Sequence, residues 1–528
     1  MANTPRLAMP YLVAGQAQKE ITHNDALNDV DALAQISVIN RTTAAPPVSP
    51  LEGDSYIIAS GATGTWAGNT NAVATYYSGW RMKPAKAGWV AYVQAEGTFF
   101  VFDGSAWLPF KAIATPSRVG NTFAFLGDSR VSAQFNDGST PNYPPVDSAH
   151  GHVKTNTFFF NWANALLGQR MKTVYNGAVS GQRSDQYLAN LNAAIASGAK
   201  WLLIWGVVND IVQSGTTGDT ALSIWTRIKN AAQSALNVGM NVVLLTEPGS
   251  NSMGTSTSQK AMVNQFNQYM REYADVTPGV FCFDIASLLI DPALANLTLR
   301  SAYSSDGTHS NAYGAYYLGQ AFANTISNFI PAINSQIFGP FEISANGNIQ
   351  QVANPLFLTT TGGTSQTGIT GNTPSGFITG RSGAATATIS TAASADGYGN
   401  AVTLAGTFTA AGEYIRIGQD TTLGNYTIPG DIVESGAHIT VSAGSVNLAT
   451  ACLYSNFGTI SNPTADLYTV DNTVALPNVA MDLTFKSVPF TLVTGVNWCT
   501  WQVRFVASGA GSFAATINRA WMRRRFVV

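Results

Sequence analysis

Ser129 closes the segment Phe123-Ala124-Phe125-Leu126-Gly127-Asp128-Ser129, in which an apolar run ends in a Gly-Asp-Ser turn. That pattern puts a hydroxyl at the end of a strand, the edge at which open α/β sheets place their chemistry. A serine hydroxyl is a poor nucleophile at neutral pH and needs an adjacent base, for which an imidazole is the best matched side chain. His309 is the candidate base, and Asp306 stands three residues before it on what reads as a loop. A carboxylate so placed can hold the imidazole in one tautomer and stabilise the imidazolium that forms. Two further segments follow apolar runs or precede helix-like ones, Asn176-Gly177-Ala178-Val179-Ser180-Gly181 and Trp205-Gly206-Val207-Val208-Asn209-Asp210. Each block alone has a plain reading, Asn209-Asp210 as a helix cap and Asp306-Gly307 as a turn. Their order across a repeating strand and helix pattern points instead to one acyl-transfer site.

The ordered set resembles the SGNH (GDSL-type) hydrolase family over residues 118 to 332. The resemblance implies a central α/β/α domain with a flavodoxin-like parallel sheet, a Ser-His-Asp esterase mechanism and no cofactor or metal. Carried over by motif, the catalytic residues are Ser129, Asp306 and His309, and the oxyanion hole is Ser129, Gly181 and Asn209. Backbone N–H groups of Ser129 and Gly181, with the Asn209 amide, would then face the negative oxygen of the tetrahedral intermediate. The family's third block reads Gly-x-Asn-Asp; here Val207 stands two before Asn209 and Gly206 one residue earlier, so the backbone path into Asn209 is expected to differ. His23, His150, His152 and His438 are scattered, and His150-Gly151-His152 has no acidic or cysteine partner at ligand spacing, which predicts a surface loop.

The elements that must position these residues alternate. Strands are predicted near Phe123 to Leu126, Thr173 to Tyr175, Trp201 to Trp205, Val242 to Leu245 and Val280 to Phe283. Helices are predicted near Ala221 to Leu236, with Leu222, Trp225 and Ile228 on the apolar face, near Lys260 to Tyr273, with Val263, Phe266 and Met270, and from Asn311 to Ile330. Alternation of this kind implies a mostly parallel sheet flanked by helices. A Gly-, Pro- and Asn-rich insertion, Ala133 to Lys154, is expected to delay the helix after Ser129 and to shape a substrate groove. Beyond Ile330 short Thr-, Ser- and Val-rich stretches predict an all-β sandwich of jelly-roll type, carbohydrate-binding-module-like in texture. There Tyr414, Tyr426, Tyr454, Trp498, Trp501 and Trp521 read as core, and Arg523-Arg524-Arg525 as a solvated edge.

At the N-terminus, Gln16 to Ile39 reads as helix, with Ile21, Leu27, Val30, Leu33 and Ile36 forming a stripe that packs on its own domain or on a symmetry mate. Thr42 to Pro50 reads as a linker, and Asp54 to Phe110 as a small β module with Gly turns and core aromatics. Ala14-Gly15-Gln16-Ala17-Gln18-Lys19-Glu20, His23-Asn24, Pro46-Pro47, Glu52-Gly53-Asp54 and Thr65-Trp66-Ala67-Gly68 together resemble an N-terminal module of undefined function found in phage tail and prophage proteins. The resulting division is 1–112, 113–335 and 336–528, and on it a segment of about 115 to 335 would hydrolyse a small ester by itself.

Composition narrows the partners. In 528 residues, charged side chains make up 11% and nearly cancel at net −2, so there is neither a basic footprint for nucleic acid nor a polybasic stretch for a membrane surface. Cys282, Cys452 and Cys499 are too few, and odd in number, to imply a disulfide framework. Met1 to Gly15 lacks the pattern of a signal peptide, so a protein of this sequence working outside a cell would be expected to leave by lysis or as part of a particle. The reading is a phage tail spike esterase, commonly a homotrimer. It is attached to other tail or baseplate proteins by its N-terminal module and removes O-acetyl groups from bacterial capsule or O-antigen at the host surface. A free bacterial GDSL esterase or lipase and a non-catalytic receptor-binding fibre are the competing readings.

Overall fold

The computed structural model describes residues 19–109, 120–135, 152–294, 297–332, 350–423, 429–458, 464–468 and 472–525. The chain forms two compact units, Met1–Thr115 and Pro116–Val528.

In the first unit, helix Lys19–Leu33 precedes two small sheets. One has the order Ser37–Val38, Val90–Val93, Thr98–Phe102, Trp107–Pro109, and the other is the meander Ser55–Ile57, Val73–Tyr76, Trp80–Lys83. The helix is shorter than predicted: it ends at Leu33, the segment holding β-branched Ile36 and Val38 leaves it, and Val38 pairs in parallel with Val93. Its predicted apolar stripe is not the docked face, since Ile21 is 60% and Val30 50% exposed. The helix is held by its acids: Tyr77 Oη donates to Asp31 at 2.7 Å, and Lys83 Nζ to Asp29 at 2.6 Å. The predicted linker is irregular but anchored, with Thr43 and Ala44 carbonyls accepting from Ala59 and Thr63. Trp66 and Trp107 are buried, as core aromatics should be.

The second unit is built on a five-stranded, wholly parallel sheet. Numbering its strands in chain order, Thr122–Gly127, Lys172–Asn176, Trp201–Trp205, Asn241–Leu245 and Val280–Phe283, the spatial order is 2-1-3-4-5. Both faces are covered, so strands 1, 3 and 4 read as near-continuous apolar runs, while strand 2 at the sheet edge is the mixed Lys-Thr-Val-Tyr-Asn. Phe123, Phe125, Leu203 and Val243 enter one cluster with Phe159, Phe160 and Phe322, while Ala124, Leu126, Leu202 and Leu244 enter the opposite one with Ile224, Ile228 and Phe266. Helix Ala221–Asn237 starts at a Thr220 cap on Ser223 N and buries Ile224, Trp225 and Ile228; Leu222, assigned to that face from sequence, is 57% exposed. Helices Thr257–Val276 and Ala312–Ile326 complete the layers. A short helix, Ser129–Ser132, follows the first strand directly, so the insertion does not delay it. The predicted groove-shaping part of that insertion, 136–151, lies outside the described residues, as do His150 and Gly151 of the predicted surface loop.

The C-terminal region contributes two mainly antiparallel sheets with a common core. The first runs Thr364–Ser365, Ile378–Arg381, Tyr414–Thr422, Trp498–Ala507, Leu448–Phe457, Thr464–Tyr468. The second runs Ile369–Gly371, Thr386–Ala393, Asn400–Phe408, Gly511–Arg525, Ile432–Val441, Met481–Lys486. Ile415, Leu453, Val503 and Phe505 of the first meet Leu404, Ile439, Phe513 and Ile517 of the second. Trp501 and Trp521 are fully buried, whereas Trp498 is 41% exposed and Tyr414 and Tyr454 are half-buried, flanking the Arg504 guanidinium; Tyr426 lies outside the described residues. The three arginines end strand Gly511–Arg525 beyond its pairing with Asn400–Phe408, beside Ile432, Val433 and Glu434, with Arg524 bonded to Asp431 at 3.2 Å.

Two features bind the parallel-sheet region to these sheets. Strand His152–Thr155 leaves the insertion and adds to the first C-terminal sheet in parallel with Thr464–Tyr468. Trp162, Ala312, Ala315 and Tyr316 lie in the same apolar cluster as the C-terminal core.

Candidate active site

The sheet order reverses between strands 1 and 3, and ligands of open α/β folds bind at the carboxyl ends flanking such a point. Ser129 follows strand 1 there, and the Gly206–Asn209 segment follows strand 3. Asp128 caps the Ser129–Ser132 helix, its Oδ1 accepting from Arg130 N at 3.0 Å, which turns the chain sharply and leaves Ser129 at the first helical position.

Ser129 Oγ lies 2.7 Å from His309 Nε2, and His309 Nδ1 lies 2.7 Å from Asp306 Oδ2. With Nδ1 donating to the carboxylate, Nε2 is left to accept the serine proton. The acid and the imidazole form one local unit. Asp306 Oδ1 accepts from the backbone N–H of Thr308 and of His309, each at 2.8 Å. Partial burial pushes the Asp306 carboxyl upward, but these N–H groups and the imidazole outweigh it and hold it down at about 2. It therefore stays anionic through the neutral range. Gly307 permits the tight turn: its φ is +73°, and the Asn251 side chain packs where a Cβ would stand.

Gly181 and Asn209 lie on segments bonded to the nucleophile strand and to each other. Val179 N donates to Gly127 O at 3.1 Å, tying the second block to the nucleophile strand, and Gly181 is exposed with φ +79°. Asn209 is half-buried on helix Val208–Val212 and gives one Nδ2 hydrogen to Gln182 O at 2.9 Å, leaving the other for a ligand. The unusual spacing in this block has a physical reason. Gly206, with φ +130°, passes so close to Asp128 that a Cβ would stand 2.5 Å from its Cγ. The glycine there serves the approach to the nucleophile turn. Burial pushes the Asp128 carboxyl up to about 6, against the pull of Arg130.

Asn209→Ala is expected to lower kcat about 10²- to 10³-fold with KM little changed, the behaviour of a donor used in the transition state. Steady-state kinetics on a small acetyl ester check it; a change confined to KM would reassign Asn209 to ground-state binding.

The sequence reading missed the residues beneath the site. Asp210, fully buried, accepts from Ser184 N at 2.9 Å and from Arg227 Nη2 at 2.9 Å, fixing helix Val208–Val212 against the second block. Arg130 and Glu247 form an ion pair at 2.5 Å with side chains 1% and 0% exposed. Their only sequence signals were a basic residue beside the nucleophile and an acid two residues past a strand end.

Residues 125–316 match the GDSL-like Lipase/Acylhydrolase family, and residues 23–108 match a protein of unknown function family, DUF2793. The chain thus carries a GDSL-like hydrolase domain together with a DUF2793 domain. Solved structures similar to it include a GDSL-like lipase from Bacteroides thetaiotaomicron, at 14% identity over 40% of this chain and 93% of that one, with TM-score 0.29. The acetylxylan esterase Axe2 from Geobacillus stearothermophilus aligns at 13% identity over 42% of this chain and 100% of its own, with TM-score 0.31. LAE5, an α/β hydrolase from the metagenome of Lake Arreo, Spain, aligns at 16% identity over 40% and 95%, with TM-score 0.29. No curated protein matches the chain.

Proposed function

We propose that this chain, with its GDSL-like acylhydrolase domain, is a serine esterase that removes O-acetyl groups from a bacterial surface polysaccharide. The observation that carries the reading is the continuous relay Ser129–His309–Asp306, with both links at 2.7 Å. His309 takes the Ser129 proton as Oγ attacks the ester carbonyl, and Asp306 stabilises the imidazolium. The backbone N–H groups of Ser129 and Gly181, with the free Asn209 hydrogen, receive the oxyanion. Collapse returns the proton to the departing sugar oxygen, and a water activated by His309 then releases acetate from the acyl-serine.

An open relay supports a polymer-borne ester as substrate: the side chains of His309 and Asp306 are 42% and 56% exposed. In the same proposal the N-terminal unit attaches the enzyme to a phage tail and the chain acts as a trimer, readings supported by the module resemblance alone. The test is acetate release from purified capsule or O-antigen of a susceptible host. Release that stops in Ser129→Ala is expected; hydrolysis of small esters with no release from any acetylated surface glycan would contradict the glycan assignment.

A further inference from the structure

We propose that Arg130 is a positioning residue that sets the register between Ser129 and His309, and that Glu247 holds it in that task. The proposal rests on the reading of Ser129 as nucleophile. The reacting pair comes from segments 180 residues apart, and their 2.7 Å contact must be fixed by something other than chain connectivity. Asp306 cannot fix it, because Asp306 and His309 lie on one loop and move as a unit.

Arg130 spans the gap. Its backbone is adjacent to Ser129, and its Nε donates to Thr308 O, the carbonyl just before His309, at 3.0 Å. Among the described residues this is the hydrogen bond, other than Ser129–His309 itself, that joins the nucleophile helix to the 306–309 loop directly. Nη2 donates to Gly249 O at 2.7 Å, and the 249–251 segment in turn grips the same loop through Ser250 Oγ and Thr308 Oγ1 at 2.6 Å and Asn251 N to Gly307 O at 3.0 Å. Nη1 meets Glu247 Oε1, which also accepts from Gly249 N at 3.0 Å. Glu247 is itself pinned by Asn267, which accepts from its N–H at 2.7 Å and donates to its carbonyl at 2.8 Å. One planar fork thus ties three segments at fixed angles, a task a guanidinium can perform and an ammonium can only partly reproduce. The Trp205 ring, 5.6 Å from Cζ, closes another side.

The test uses the full chain and a small acetyl ester, with four variants: Ser129→Ala, Arg130→Lys, Arg130→Met, and Arg130→Met combined with Glu247→Leu. The double variant removes both buried charges together and so keeps a folded protein within reach should Arg130→Met alone not fold. Each folded variant lacking the guanidinium is expected to lose about 10²-fold in kcat with KM within about threefold, because a misplacement of about 1 Å suffices for such a loss. Arg130→Lys, which keeps the charge, should recover part of it, to within about tenfold of wild type. The low-field Nδ1 proton shared by His309 and Asp306 should persist throughout, since that pair is local, whereas general loosening would erase it. Folded Arg130→Met or double variants with kcat within about threefold of wild type, or a loss confined to KM, overturn the proposal. Activity surviving in Ser129→Ala would instead overturn the esterase reading beneath it.

Discussion

Ser129→Ala is expected to reduce hydrolysis of a small acetyl ester by at least about 10⁴-fold, with the thermal melt unchanged. The hydroxyl removed is half-buried on a helix whose cap, Asp128, and whose anchor, Arg130, are untouched, so little packing is lost. What disappears is the atom that attacks. His309→Ala should be of similar severity, because without a base the hydroxyl keeps its proton. The double variant should be little worse than either alone, since groups acting in one step are not additive. Kinetics on the three purified variants check this; turnover above about one percent of wild type in Ser129→Ala, or additive losses, would remove Ser129 from the role.

A fragment ending near residue 332 is expected to fail even on the small ester, because it cannot hold the catalytic loop. Helix Ala312–Ile326 begins three residues after His309, and its Ala312, Ala315 and Tyr316 pack with Trp162 into the core of the C-terminal sheets. Strand His152–Thr155 would lose its partner, and Gln169 would lose its bonds to Asp466 at 2.8 Å and to Thr484 O at 2.7 Å. An exposed Trp and Tyr patch with an unpaired strand edge favours aggregation over a cooperative fold. The fragment should show no cooperative melt and less than about a tenth of full-chain turnover, while a chain beginning at 116 keeps both. A cooperative melt and full small-ester activity in the fragment would show that the shared core is dispensable.

That expectation reverses the one drawn from sequence, and the reason is general. Patterns confined to neighbouring residues were legible: strands 1, 3 and 4, buried on both faces, announce themselves as apolar runs, and Gly-Asp-Ser, Asn209-Asp210 and Asp306-x-x-His309 are short enough to read directly. Features fixed by distant partners were not. His152–Thr155 reads as part of a polar insertion, yet it pairs with a strand more than 300 residues away. Arg130 and Glu247 stand 117 residues apart, and nothing local says that they meet. The N-terminal helix shows a further limit of periodicity: Ile21 and Val30 sit at helical spacing, but Asp29 and Asp31 face Lys83 and Tyr77, so charge rather than the apolar stripe decides which side docks.

The central claim, that Ser129 is the nucleophile activated by His309, is tested most directly by covalent labelling of the full chain with a fluorophosphonate, followed by peptide mapping. One phosphonyl group per chain is expected, on the peptide containing Ser129, with ester hydrolysis falling in step with labelling and with labelling lost in His309→Ala. Hydrolysis that continues at full Ser129 labelling, or an adduct on another residue that tracks the loss of activity, would contradict it.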